Sequence, residues 1–560
     1  MIIFIEYCAL FLQISLLCLI LTLAGFLLKK VILNIYDAQN FHENSLFGFI
    51  LIGFLALFIN FFYPLSLSIN NIFLLVLIYS AFKYGFFKQN KKKLIKNIIY
   101  VSSLSFILFI HSNVNTPDAL LYHLPYSKLI NEHKIVIGAS NLHFRFGHIS
   151  IFQYISSFFN NSIFKINGVL LPIAILISNF LFYCFRLFVS DFKKDSSRIK
   201  SYFIFLILVF SFYSFNRYSG YGNDAQAHIY YFLVIIYLFD FFIIKKTLLN
   251  FQKILILCLF LFLLKPFFII SSLIVVLIFL MNKKKYVIFK SKFFIFISAL
   301  LFLWMLKTFL ISGCLIYPLK ITCSKNVIWL DNNVNKASIE GEAWAKGWPQ
   351  NIDKNLNQQT YIKNFNWIAP WSAVHFKIIV KKLTPVIIFI ILNFLFFYLT
   401  KCLKKNYQNK NQFFFILLFF INLLFVIIWF LKIPIYRQGL SFIYVLILFS
   451  SYYIFIKNIN FKKIEKFYNI FLFCIALFFA AFLFKNIIKI SNNFSQSISP
   501  EIYDTTKINK SAKVFNKDNE FTHYKLTNGI VCGFSISPCT HFNIEVRRKY
   551  FFGYLIYYNF

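Results

Sequence analysis

Long apolar runs separated by short polar gaps dominate the chain. A membrane helix needs roughly 20 apolar residues, and by length and apolarity the pattern predicts about 14 membrane segments. They lie at 7–28, 45–63, 71–87, 97–112, 167–189, 201–217, 228–244, 252–264, 267–281, 293–312, 383–400, 412–431, 438–456 and 467–486. The pair 252–281 is interrupted by Lys265-Pro266. It reads either as two short helices or as one kinked helix plus a re-entrant piece. The first run has no basic segment before it and no small-residue cleavage site, so it reads as a retained helix. No convincing internal repeat and no Gly-rich nucleotide motif is visible.

The polar gaps carry a second pattern. Lysines cluster at Lys29–Lys30, Lys83 through Lys96, Lys193 through Lys200, Lys245–Lys246, Lys283 through Lys292, Lys401 through Lys410 and Lys457 through Lys466. Such loops face the cytoplasm. If 252–281 crosses twice, the Lys83–Lys96 gap and every later cluster fall on that side. The mixed-charge stretches 113–166, 218–227, 313–382 and the polar tail 487–560 then fall outside, as does the N-terminus. The chain divides accordingly into N-terminal membrane helices (1–112), a first large outer loop (113–166), central membrane helices (167–312), a second large outer loop (313–382), C-terminal membrane helices (383–486) and an outer tail (487–560). The fold class is an all-α polytopic membrane protein of a cytoplasmic-type (inner) membrane, bacterial in this reading, with a small outer C-terminal segment.

Composition agrees: the chain is 59% hydrophobic, against about 45–50% for soluble domains. The net charge of +38 would suggest nucleic acid in a soluble protein. Here the cytoplasmic lysine loops account for it, and no RRM, KH or zinc-finger spacing is present, so no nucleic-acid partner is expected. Cys8, Cys18, Cys184, Cys258 and Cys474 sit within apolar runs as small fillers. Cys314, Cys323, Cys532 and Cys539 fall outside, where disulfides persist. Spacing does not fix their connectivity, and a Cys532–Cys539 bridge is one hypothesis.

Ionisable residues outside the lysine loops are few. The first outer loop contains Asp118-Ala-Leu-Leu-Tyr122-His123-Leu-Pro125, with an acid at a helix start. Thr116, Pro117 and Asp118 could simply cap that helix. Asp224 repeats the arrangement after Gly222-Asn223. Two acids on two outer helix ends can share a cavity, where paired carboxylates bind a divalent metal or one acts as general base. The late loop Pro434-Ile-Tyr436-Arg437 and the break at Lys265 offer cations that hold a phosphate or snorkel to lipid headgroups. His143, Arg145 and His148 close the first loop and read as interfacial.

The Asp118-to-Pro125 run resembles the D-x-x-x-Y-H-L-P signature of bacterial membrane proteins in the GT-C glycosyltransferase superfamily, related to protein O-mannosyltransferases and aminoarabinose transferases. Gly222-Asn223-Asp224 resembles the second acidic motif of that group. Gly313-Cys-Leu-Ile-Tyr317-Pro318 resembles its G-x-x-x-Y-P motif, and Pro434-Ile-Tyr436-Arg437 its P-x-x-R motif. The resemblance implies a GT-C-like helical bundle with extra N-terminal helices. It also implies an enzyme taking a sugar from a polyprenyl-phosphate carrier and passing it to a glycan, lipid or protein acceptor at the outer face. Asp118 would be the catalytic acid, Asp224 a second one, and Tyr122, His123, Lys265 and Arg437 would bind substrate. Trp344 could stack on a sugar. The cofactor stays open, with a divalent metal as one option. Two other classes fit a many-spanning chain. An O-antigen-type polymerase or ligase would center Arg and His in the second large loop, which holds His375 and no Arg. A lipid or saccharide transporter would favour mid-membrane charges and repeats.

Overall fold

A computed structural model describes residues 2–36, 39–88, 90–111, 118–215, 224–244, 246–281, 291–351, 356–402, 412–454, 461–494, 512–517, 521–526, 532, 537–540 and 546–559. The Thr116 cap, Pro117, the Gly222-Asn223 pair, most of the clusters Lys283–Lys292 and Lys401–Lys410, and Lys457 lie outside the described residues.

Every apolar run lies in a helix. α1 (Ile2–Val31), α2 (Phe41–Phe62), α3 (Leu67–Lys83) and α4 (Lys91–Phe109) come first. The stretch expected as the first outer loop is itself folded. After a π-turn at Ala119–His123 it carries α5 (Leu124–Glu132) and α6 (Ile151–Phe159). Then follow α7 (Asn167–Phe192), α8 (Arg198–Ser214), α9 (Asp224–Phe239), α10 (Leu248–Leu264) and α11 (Ser272–Met281). Helices Lys292–Ser312, Lys377–Leu399, Gln412–Lys432, Tyr436–Ile454 and Tyr468–Phe494 complete the membrane part.

Among the described residues eight helices are long and apolar enough to cross a membrane, and three apolar helices are shorter. The protein is therefore a helical membrane protein, with fewer full-length spans than the apolar runs predict. At Lys265 the backbone is extended (φ −148°, ψ 118°), which ends α10, and Pro266 opens a 3-10 turn before α11. The interrupted pair is thus two short helices. The span expected at 383–400 belongs to a helix running from Ile368 to Leu399, because a π-turn at Ser372–Phe376 carries the helix out of the preceding loop without a break.

Small residues let the first two helices touch. A Cβ on Gly25 would sit 1.6 Å from the Asn44 carbonyl oxygen, and one on Gly48 would sit 1.9 Å from that of Leu21. Close backbone approach of this kind is how membrane helices gain packing without a hydrophobic drive between them. At the lysine-rich end of the bundle the buried carboxylate of Glu43 on α2 accepts from Lys29 Nζ (2.5 Å), Lys253 Nζ (2.5 Å), Tyr237 Oη (2.5 Å) and Asn40 Nδ2 (2.9 Å). Four helices (α1, α2, α9 and α10) meet at this one acid.

The membrane part is helical as expected, and the tail adds strands to it. The tail contains two antiparallel hairpins, β1 (Ala512–Lys517) with β2 (Phe521–Leu526), and β3 (Val546–Phe551) with β4 (Tyr554–Asn559). The second hairpin docks mainly on the first outer loop rather than on the second. Ile556 bridges Ile137, and Asn559 Nδ2 donates to Asn141 Oδ1 (2.8 Å). Asn141 also donates to the carbonyl of Trp329 in the second loop (3.2 Å). Two local disulfides close short loops within the tail and the second large loop, Cys532–Cys539 and Cys314–Cys323. The second pairing is one that sequence spacing left undecided.

Candidate functional site

Four sequence-distant side chains meet at the end of the bundle opposite Glu43. Arg437, in the first turn of Tyr436–Ile454, places Nη2 3.3 Å from Asp118 Oδ2 and Nε 3.7 Å from Asp224 Oδ2. Lys265, at the break after α10, donates to the other Asp224 oxygen, Oδ1. All four remain accessible: their side chains are 32% (Asp118), 28% (Asp224), 19% (Lys265) and 45% (Arg437) exposed. The ends that the lysine pattern assigns to one side thus converge.

Asp118 opens the described part of this helix, and the Thr116 and Pro117 of the capping alternative lie outside the described residues. It precedes the π-turn with helical backbone angles, and its side chain makes no capping hydrogen bond. Its carboxylate turns to Arg437 instead. π-turns within helices are frequent at functional sites. This one sets Tyr122 and His123 next to the acid, their rings 4.3 Å apart.

Local chemistry explains how His123 is held. Ser150 starts α6 with a capping box: its hydroxyl accepts from Phe152 N (3.2 Å), and Gln153 Oε1 accepts from Ser150 N (2.7 Å). That fixes the Gln153 amide, whose nitrogen meets His123 Nδ1 at 2.5 Å. Burial pushes the His123 imidazole down to about 4, outweighing the opposite pull of Asp118 and Asp224. His123 is therefore a neutral ring at neutral pH. Burial likewise raises the Tyr122 phenol above its usual range, so Tyr122 keeps its proton.

His228, one turn along α9 from Asp224, contacts the Arg437 carbonyl through Nε2 (2.7 Å) and the Ser441 hydroxyl through Nδ1 (2.9 Å). It docks the start of the Arg437 helix onto α9, so one helix supplies both an acid and the support for its cation. Sequence reading missed His228. The spacing of four residues, which puts both on one helix face, was the available signal.

The Arg145 guanidinium lies over the Tyr122 ring (5.6 Å) and the Phe144 ring (4.9 Å). Among the described residues it pairs with no carboxylate. Its neighbour His148 is packed edge-on against Tyr317, ring centroids 5.0 Å apart, and burial holds its imidazole down to about 3. Tyr317 donates to Asp331 Oδ2 (2.8 Å), and a Cβ on Gly147 would strike the Tyr317 ring at 2.5 Å. The Tyr-Pro motif thus seats against the Arg145 turn. Trp344 stands 63% exposed on the helix Val334–Ala345, and no described contact ties it to the acids. Lys307 was also missed. It is buried in Lys292–Ser312 with its ammonium 3.6 Å from the Trp304 ring, and a lone lysine within an apolar run was its signal.

No three His, Cys, Asp or Glu side chains converge as a metal site among the described residues. Asp118 and Asp224 are the two carboxylates present, and each already faces a cation. A divalent ion would have to displace Lys265 or Arg437 from them.

No curated protein and no solved structure matches the chain. A family model does match over residues 8–444, a stretch that takes in Asp118, Tyr122, His123, Arg145, Asp224, Lys265 and Arg437. The chain belongs to that family, described as Domain of unknown function (DUF8201).

Proposed function

We propose that the protein is a GT-C-like membrane glycosyltransferase. It would move a sugar from a polyprenyl-phosphate carrier to a hydroxyl of an envelope acceptor at the outer face of the cytoplasmic membrane. One observation carries the reading: Arg437 faces both acids through loose contacts at the end of a membrane bundle. Arg–carboxylate pairs committed to each other usually close to about 2.7–2.9 Å. At 3.3 and 3.7 Å, Arg437 is placed to exchange a carboxylate for a phosphate. The order of motifs along the chain, resembling that of GT-C enzymes, supports the same reading.

The chemistry follows from the positions. A donor lying in the bilayer brings its phosphate to the interface, where Arg437 and Arg145 neutralise it. Arg437 then releases Asp118. Asp118 takes the proton of the acceptor hydroxyl while the acceptor oxygen bonds to the anomeric carbon. The bond from that carbon to the phosphate oxygen breaks, and polyprenyl phosphate leaves with the electron pair. Lys265 and Arg437 hold Asp224 in place, so Asp224 shapes the site's potential rather than moving protons. Neutral His123 and protonated Tyr122 are hydrogen-bond donors for sugar hydroxyls.

Asp118→Asn tests the reading, because it preserves shape and removes basicity. Transfer from a polyprenyl-phosphate sugar by the purified variant should fall by at least roughly 100-fold, within the range for losing a general base. Membrane abundance and thermal midpoint should stay at the wild-type level. Equal turnover by variant and wild type would overturn the assignment.

A further inference from the structure

The β3–β4 hairpin lies beyond the family match and beyond the acid cluster, and its two strands differ. β4 is buried: Leu555, Ile556 and Tyr557 pack on the first outer loop. Among the described residues β3 pairs only with β4, and it carries Arg547, Arg548, Lys549 and Tyr550. Tyr550, Phe551 and Phe552 at the tip are 66%, 58% and 84% exposed. This is a contiguous aromatic patch, which soluble surfaces avoid.

The turn makes the patch deliberate. Phe552 (φ 47°) and Gly553 (φ 73°) both adopt left-handed backbone, the requirement of a type I′ hairpin turn. Asn, Asp or Gly fill the first position with little strain, whereas a bulky aromatic there is an outlier. Strain is retained here for a side chain that touches almost nothing of its own protein.

The tip's height relative to the bilayer comes from its anchor. Tyr554 Oη donates to the carbonyl of Phe61 (2.7 Å), in the last turn of the membrane helix α2. Phe62 and Tyr63 at that helix end are also exposed, at 55% and 59%. Aromatic residues at the end of a membrane helix mark the headgroup level. Between the tip, the α2 end and α5 runs a groove of about 300 Å³. Phe62, Pro64 and Leu555 form its apolar wall, and Glu132, His133 and Lys134 its polar end. The Lys134 ammonium lies 3.8 Å over the Tyr554 ring and pairs with no carboxylate among the described residues.

We infer that this hairpin is a membrane-interface anchor and that its groove seats one anionic phospholipid. An acyl chain lies along Phe62, Pro64 and Leu555, the headgroup phosphate sits at Lys134, and Phe551 and Phe552 enter the leaflet beside it. Arg548 and Lys549 on β3 add attraction to an anionic surface. The inference does not depend on the glycosyl-transfer reading.

The test uses the full chain with p-benzoylphenylalanine in place of Phe552, reconstituted in vesicles of phosphatidylglycerol and phosphatidylcholine. Irradiation should attach phospholipid to the tip peptide, as read by mass spectrometry. Cross-links to protein alone, from this chain or a second copy, would overturn the inference. A second variant guards against a merely structural hairpin. Phe552→Asn relaxes the left-handed backbone, so the thermal midpoint in detergent should hold or rise while native mass spectrometry shows one retained phosphatidylglycerol fewer. A falling midpoint, or an unchanged lipid count, would overturn it. Lys134→Gln should abolish the preference for phosphatidylglycerol over phosphatidylcholine, and an unchanged preference would remove the headgroup assignment.

Discussion

Two acid clusters are built on α9, about 20 Å apart along its axis at a rise of about 1.5 Å per residue. At one end Tyr237 and two lysines close on Glu43, whose side chain is 4% exposed, with contacts of 2.5 Å. At the other end Asp224 also faces two cations, Lys265 and Arg437, but it is 28% exposed and Arg437 stands off at 3.7 Å. The ingredients are nearly the same: one carboxylate and two basic side chains from different helices. Burial and distance separate them. A fully desolvated cluster with saturated partners can only hold helices together. An accessible one with a loosely held guanidinium can exchange partners.

Exchanging acid for amide at each end should give the largest separation. Glu43→Gln leaves Lys29 and Lys253 buried without their counter-charge, and removing one partner of a buried pair typically costs about 3–5 kcal/mol. The expected readout is a strongly lowered thermal midpoint or loss of the folded protein from the membrane. Asp118→Asn should do the reverse, sparing the midpoint and removing transfer. If both variants lost stability alike, the distinction between clamp and site would collapse.

A smaller effect is expected from Arg437→Lys. The charge stays and the planar fork is lost, so Lys cannot reach both carboxylates or grip a phosphate in two places. Turnover should fall by roughly 10–1,000-fold, the range for losing one preorganised donor or less. The same swap in the clamp, Lys253→Arg, should change stability and leave turnover per folded molecule alone. Unchanged turnover in Arg437→Lys would reduce Arg437 to a lipid-headgroup contact.

The smallest effect is a pH slope. Burial holds His123 at about 4 in the folded chain, against about 6.5 when unfolded. Between those values the unfolded chain binds the proton and the folded chain does not, so stability falls as pH drops from about 6.5 to about 4. His123→Asn should flatten part of that slope in thermal midpoints measured across the window. A slope identical to wild type would show that His123 is not held neutral. Above pH 6.5 His123 should leave no mark on the rate profile, because the ring is already neutral there.

The membrane class and the place of nearly every apolar helix were legible in the residues alone. These are properties of local composition: an apolar run must leave water, and lysines stay on one side of the bilayer. The sequence also singled out Asp118, Asp224, Lys265 and Arg437, because charges are rare in such a chain. It could not say that one guanidinium serves both acids, since residues 118, 224 and 437 are brought together only by helix packing. Nor could it rank Glu43 against Asp224. Each is an acid near the start of an apolar run, and only the surrounding helices decide which is sealed from solvent. The same holds for Arg145, whose carboxylate-free position over Tyr122 depends on how the first loop folds back. The two β-hairpins were hidden for a related reason. Their aromatic strands follow the last membrane helix, and what makes β4 a buried strand is the surface of residues 134–142, far away in sequence.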